Sequence, residues 1–122
     1  MPEAFIIDAV RTPVTRRGGS LAGAHPADLG AHVIRAVLDR AQADPDAIDD
    51  VVFGCVDTVG PQAGDIARTA WLAAGLPEAV PGVTVDRQCG THIRRHQAAE
   101  VRAQLAPQLF LLRGVGDAHA FP

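Results

Sequence analysis

The chain has 122 residues, 48% of them hydrophobic, with 12 Gly, 9 Pro and a net charge of −3. That length accommodates one domain, and that composition excludes a disordered chain. Acids and bases are interspersed, every basic residue is Arg, and no basic stripe interleaves with aromatics, so nucleic-acid binding has no support.

Phe5-Ile6-Ile7-Asp8-Ala9-Val10 reads as a short buried strand, ended by Arg11-Thr12-Pro13 because Pro cannot continue a central ladder. Arg16 to Ser20 is a loop. Pro26 to Ala43 reads as an amphipathic helix: Leu29, Val33, Val37 and Ala41 recur at helical spacing, and Ile34 and Leu38 widen the stripe. Pro26 suits the first helical position and Asp28 the positive end of the dipole. Asp44-Pro45-Asp46 stops it.

Val51 to Val56 is a second buried strand, in which Cys55 is expected to serve core packing. After the loop Gly60 to Gly64, Asp65 is a good N-cap for a helix over Ile66 to Ala74, and Gly75 and Pro77 are stop signals. Val83-Thr84-Val85 is a third strand, running into Asp86-Arg87-Gln88-Cys89-Gly90. Thr91 to Gln104 has a weak helical pattern, and Leu109 to Leu112 reads as a last strand. This alternation predicts an α/β fold, a mixed but mostly parallel sheet with crossover helices.

No apolar stretch is long enough to span a membrane, and Met1-Pro2-Glu3-Ala4 lacks the pattern of a signal peptide. The expectation is a cytoplasmic chain whose two cysteines, Cys55 and Cys89, are free thiols. No Cys/His spacing suggests a metal site, and no Gly-rich run has the phosphate-loop form.

Cys89 follows a strand and opens a helical segment. A helix N-terminus stabilises a thiolate, which is the nucleophilic form, and Gly90 leaves room for a carbonyl near backbone N–H groups. The same spacing also suits a buried, inert Cys. The residues around it say more than the spacing. Ala4 to Pro13, Pro26-Ala27-Asp28-Leu29-Gly30, Asp49 to Val56, Asp65-Ile66-Ala67-Arg68 and Pro81 to Gly90 resemble, in order, segments of the N-terminal domain of thiolases. That family comprises acetyl-CoA acetyltransferase and 3-ketoacyl-CoA thiolase.

The resemblance implies that Cys89 is the residue that becomes acylated, in thiolysis of a 3-ketoacyl-CoA or the reverse Claisen condensation. It implies coenzyme A thioesters as substrates, no bound cofactor, and a place in lipid metabolism such as fatty acid β-oxidation. The family also implies a homo-oligomer or association with another thiolase subunit.

Past Gly90 the likeness weakens. Thr91 to Ala99 replaces the family's small residues and Gln-Ala helix, and places Arg94 and Arg95 where that helix is buried. His92 and His96 invite a general-base reading, against which stands an exposed position on an irregular segment. Arg113 and Ala118-His119 replace small residues and a Met-Ser pair. Arg16 and Arg17 could meet a phosphate or simply face water. The reading is a partial thiolase N-terminal domain over residues 1–122, with 91–122 diverged. The family's CoA loop and C-terminal catalytic His and Cys have no counterpart here, so a truncated and inactive piece is expected. The alternative is a non-catalytic fragment that associates with a full-length thiolase subunit.

Overall fold

The computed structural model describes residues 4–86 and 112–114. Two helices pack on a parallel strand pair, and a second, antiparallel pair lies apart from it. The elements are β1 (Ala4–Ile6), α1 (Pro26–Ala41), β2 (Val51–Gly54), α2 (Ile66–Ala73), β3 (Gly82–Val85) and β4 (Leu112–Gly114). Single 3-10 turns at Pro45–Ala47 and Gly60–Gln62 precede β2 and α2.

β2, α2 and β3 form the predicted crossover unit. β2 and β3 pair in parallel, with Val51 opposite Gly82 and Gly54 opposite Val85. β1 pairs antiparallel with β4, with Phe5 opposite Arg113. The fold is α/β; among the described residues the parallel and antiparallel pairs are separate two-stranded sheets rather than one mixed sheet.

The signals at helix ends act as the sequence indicates. Pro26 opens α1 and Asp28 lies in its first turn. The cap itself is His25, whose Nδ1 accepts the Ala27 N–H at 3.2 Å. α1 ends at Ala41, two residues before the expected end, because Gln42 takes a left-handed conformation with φ 51°. Its side-chain amide then donates to the Asp39 carbonyl at 2.8 Å. Asp65 caps α2, and Gly75, with φ +72°, follows its end.

The buried face of α1 corrects the sequence reading. The innermost residues are Ala27, Ala31, Ile34 and Leu38, whereas Leu29, Val33, Val37 and Ala41 are only half-buried. The reason is how closely α2 approaches. A Cβ on Gly30 would stand 2.7 Å from the Ala70 Cβ and 3.1 Å from Phe53 Cε2. The smallest residues of α1 therefore mark the contact, and its bulkier ones flank it. Ile34 and Leu38 join Val51, Ala67, Ala70, Trp71 and Val80 in one cluster.

The strand expected over Phe5 to Val10 is shorter and is not buried. Phe5 is 48% exposed, Ile6 67% and Ile7 41%. An apolar run records a capacity for burial, and among the described residues no layer covers this one. The strand expected over Val51 to Val56 stops at Gly54, and Val56 is exposed. Cys55 is half-buried beyond the strand and takes no part in the core cluster. Of the last expected strand, Leu109 to Leu112, only Leu112 falls within β4; residues 109–111, like the helix expected over Thr91 to Gln104, lie outside the described residues.

Arg35 of α1 fastens the two helices. Its Nε donates to the Ala74 carbonyl at 3.0 Å and its Nη2 to the Ala73 carbonyl at 2.8 Å, where α2 runs out of internal partners. A cation at a helix C-terminus also meets the negative end of the dipole. Arg35→Met keeps the aliphatic stem and removes both donors. It is expected to lower stability by about 1–2 kcal/mol, read as a lower urea midpoint with an unchanged m-value.

Candidate active site

Cys89 and Arg87 lie outside the described residues, as do His92, His96, Arg94, Arg95 and His119. The structure describes β3, which precedes Cys89 in the sequence, together with the loop after β2 and the N-terminus of α2 that bond to it. In open α/β folds, sites lie beyond the carboxyl ends of parallel strands. The ends of β2 and β3 lie side by side here, joined by the Cys55 N–H donating to the Val85 carbonyl at 3.1 Å.

Two side-chain ties act at the end of β3. The Thr84 hydroxyl donates to Asp65 Oδ1 at 2.6 Å and accepts the Ala67 N–H at 3.1 Å. Asp65 Oδ1 also accepts the Arg68 N–H at 3.3 Å. Two N–H groups in the first turn of α2, which have no partner within the helix, are thus satisfied by one cap and one strand residue. Past Val85, the Thr58 hydroxyl donates to Asp86 Oδ2 at 3.0 Å, so the loop after β2 reaches the residue three before Cys89 in sequence.

Arg68 and Trp71 fix the segment that enters β3. The Arg68 guanidinium donates to the Val80 and Glu78 carbonyls. The Trp71 indole N–H donates to the Pro77 carbonyl at 2.7 Å. The loop holding Thr58 has its own knot: the Asp57 carbonyl accepts from Gln62 Nε2 and from the Cys55 thiol, the latter at 3.2 Å.

Arg16 and Arg17 are exposed. Arg40 pairs with Asp8 at 2.9 Å and joins the end of α1 to the segment after β1. Among the described residues, no three His, Cys, Asp or Glu gather as a metal site, and no helix is long and apolar enough to cross a membrane. Sequence reasoning missed the roles of Thr58 and Thr84. The one available signal was the Asp65 cap, which leaves its second partner unspecified.

The β2-α2-β3 crossover is an α/β unit, and the Cys89-Gly90 pair follows its second strand in the sequence. The family model described as the N-terminal domain of thiolase matches residues 4–100, a span that contains Cys89. The chain belongs to the thiolase family. It is 67% identical over 91 residues to the steroid 3-ketoacyl-CoA thiolase FadA6 of Mycobacterium tuberculosis, covering 75% of this chain and 22% of that protein. It is 41% identical over 118 residues to a 3-ketoacyl-CoA thiolase of Pseudoalteromonas translucida, covering 94% and 30%. A β-ketoadipyl-CoA thiolase of Escherichia coli is 46% identical over 92 residues, covering 75% and 23%. The crystal structure of the Bacillus anthracis acetyl-CoA acetyltransferase superposes with a TM-score of 0.76 at 34% identity, over 86% of this chain and 26% of that one. The chain thus spans less than a third of the length of these relatives.

Proposed function

We propose that this chain carries the acyl-accepting nucleophile of a thiolase-type acyltransferase acting on 3-ketoacyl-CoA thioesters. The observation that carries the reading is the family match over residues 4–100, which runs through β3 and contains Cys89. The names of the three curated relatives, all thiolases of 3-keto acyl thioesters, support the substrate class.

In this reading the Cys89 thiolate attacks the 3-keto carbonyl. The C2–C3 bond breaks, the acetyl-CoA enolate leaves and takes a proton, and the acyl group remains on sulfur as a thioester. The thiol of a second CoA then attacks that thioester, releases the shortened acyl-CoA and returns the thiolate. Covalent capture divides one difficult exchange into two easier ones. Such a reaction belongs to acyl-CoA degradation of the fatty acid β-oxidation type, in the cytoplasm, with CoA thioesters as substrates and no bound cofactor.

Expulsion of the enolate in thiolysis needs a proton donor, whereas acylation of Cys89 by a simple acyl-CoA expels a CoA thiolate and needs none. The chain alone is expected to accept an acyl group from an acyl-CoA without sustained thiolysis. The test is to incubate the pure chain with acetyl-CoA, following adducts by peptide mass spectrometry, and separately with a 3-ketoacyl-CoA and CoA, following thiolysis by absorbance. The expected result is an acyl adduct on Cys89, absent from Cys89→Ser, with no turnover above the uncatalysed rate. An adduct confined to Cys55 refutes the assignment of the nucleophile, and sustained thiolysis refutes the inactivity.

A second reading is favoured by the exposure of Phe5, Ile6 and Ile7 on and just after β1. Apolar side chains in a row suit association with another thiolase subunit. Co-purification with a full-length thiolase, abolished by Ile6→Lys, is its expected signature.

A further inference from the structure

We infer that the cleft between the segment after β1 and the last turns of α1 binds an amphipathic monocarboxylate, an aliphatic tail that ends in a carboxylate. The inference goes beyond the thiolase reading and does not depend on Cys89.

Two walls form the cleft. Ala9, Val10, Arg11 and Pro13 supply one, and Ala36 and Arg40 the other, around a cavity of about 740 Å³. Small-molecule sites span roughly 300–1,000 Å³, so the space suits a ligand. Ala36 and Arg40 stand one turn apart and share a face of α1. At helical spacing that face lies opposite the one that carries Ala27, Ala31, Ile34 and Leu38 into the core. The cleft is thus separate from the packing that holds α1 to α2. Val10 and Ala36, one on each wall, are half-buried.

The lining is chemically divided. Ala9, Val10, Pro13 and Ala36 are apolar, and the other two residues are Arg. Arg40 spends Nε and Nη2 on the Asp8 carboxylate, at 2.9 and 3.1 Å, and this tie joins the two walls. Asp8 Oδ1 also accepts the Ala9 N–H at 2.7 Å, so both carboxylate oxygens are engaged. Arg11 donates to the neighbouring Thr12 carbonyl at 3.3 Å and pairs with no carboxylate among the described residues. Two guanidinium groups against one carboxylate leave a single surplus positive charge. A guanidinium presents parallel N–H donors that match the two oxygens of a carboxylate. One surplus charge beside an apolar wall selects a monoanion with an apolar tail. A phosphate monoester, closer to two negative charges at neutral pH, exceeds what the cleft neutralises.

The experiment is a titration of the 122-residue chain with octanoate, followed by NMR amide shifts. Saturable shifts are expected at Val10, Arg11, Ala36 and Arg40. Acetate lacks the tail and octanol lacks the charge, and each is expected to bind about tenfold more weakly. Arg11→Gln is expected to lower the affinity for octanoate about tenfold, the scale of a lost charge-assisted hydrogen bond. Arg11 is exposed and bonded only to its neighbour, so the variant keeps the fold, which circular dichroism checks. Asp8→Asn removes the compensating charge and is expected to raise the affinity about threefold, as one partly screened charge does. A role for Asp8 in shaping the wall alone predicts the opposite sign. Unchanged affinity in Arg11→Gln, a fall in Asp8→Asn, octanol binding as tightly as octanoate, or shifts centred on Phe5, Ile6 and Ile7 each overturn the proposal. Tighter binding of octyl phosphate than of octanoate overturns the assignment to a monocarboxylate.

Discussion

Trp71→Ala is expected to remove about 3–5 kcal/mol of stability, the range for deleting a large buried aromatic. Trp71 is 0% exposed and belongs to the cluster that joins α1, α2, β2 and the approach to β3. Truncation leaves a cavity between helices already in contact through Gly30 and Ala70, so collapse cannot fill it without moving α1. It also leaves the Pro77 carbonyl without the indole N–H that now meets it at 2.7 Å. Domains of this size are stable by about 5–15 kcal/mol, so this one change consumes much of the margin. Trp71 is the only Trp, so the measurement is urea denaturation followed by circular dichroism rather than by tryptophan fluorescence. Trp71→Phe retains most of the volume and should cost about 1–2 kcal/mol, mainly through the lost hydrogen bond. Equal losses in the two variants would show that packing around the indole is not the main contribution.

Gly82→Ala is expected to cost about 1–3 kcal/mol through overpacking. The added methyl would meet Arg68 N at 2.7 Å and Arg68 Cα at 2.9 Å, atoms of backbone that no rotamer change can withdraw. Relief requires α2 to shift away from β3, which breaks the bonds of Thr84 to Ala67 and Asp65. Reduced freedom of the unfolded chain returns about 0.4–1 kcal/mol in favour of Ala, and the clash outweighs it. Gly23 is the control, because a Cβ there meets nothing within 4 Å. Gly23→Ala should leave the urea midpoint nearly unchanged, whereas Gly82→Ala lowers it. A stable Gly82→Ala would mean that β3 and α2 are not in the contact described.

The limits of α2 were legible because its signals are local: Asp65 at one end, Gly75 at the other, each acting within a turn of the residue it serves. The start of α1 was legible for the same reason. Its buried face was legible only in part: Ile34 and Leu38 belonged to the expected stripe, Ala27 and Ala31 did not. Leu29, Val33 and Val37 form as good a stripe as Ala27, Ala31, Ile34 and Leu38, and the choice between adjacent faces is made by how near another helix can come. β1 was legible as an extended apolar segment. Its exposure and its antiparallel partner Leu112–Gly114 were not, since no sequence period relates strands so far apart. At the site, Cys89 stood out by the residues around it. The Thr84–Asp65 bond did not, because nothing in a pattern of hydrophobicity links a strand hydroxyl to a helix cap 19 residues earlier.

The crossover unit has a consequence for the order in which the molecule assembles. The bonds that fasten α2 to β3 and its approach join residues 19, 17, 12, 10 and 6 positions apart. The bonds of Arg35 that fasten α1 to α2 span 39 and 38. Short loops cost less entropy to close than long ones, and contacts of low sequence separation form fastest. Residues 65–85 are therefore expected to take shape as soon as they leave the ribosome, with α1 docking onto them afterwards. In refolding, Trp71 Nε1 and the Ala67 amide should gain protection from hydrogen exchange before the buried face of α1 does. β3 would then be set while the chain that follows it is still being synthesised.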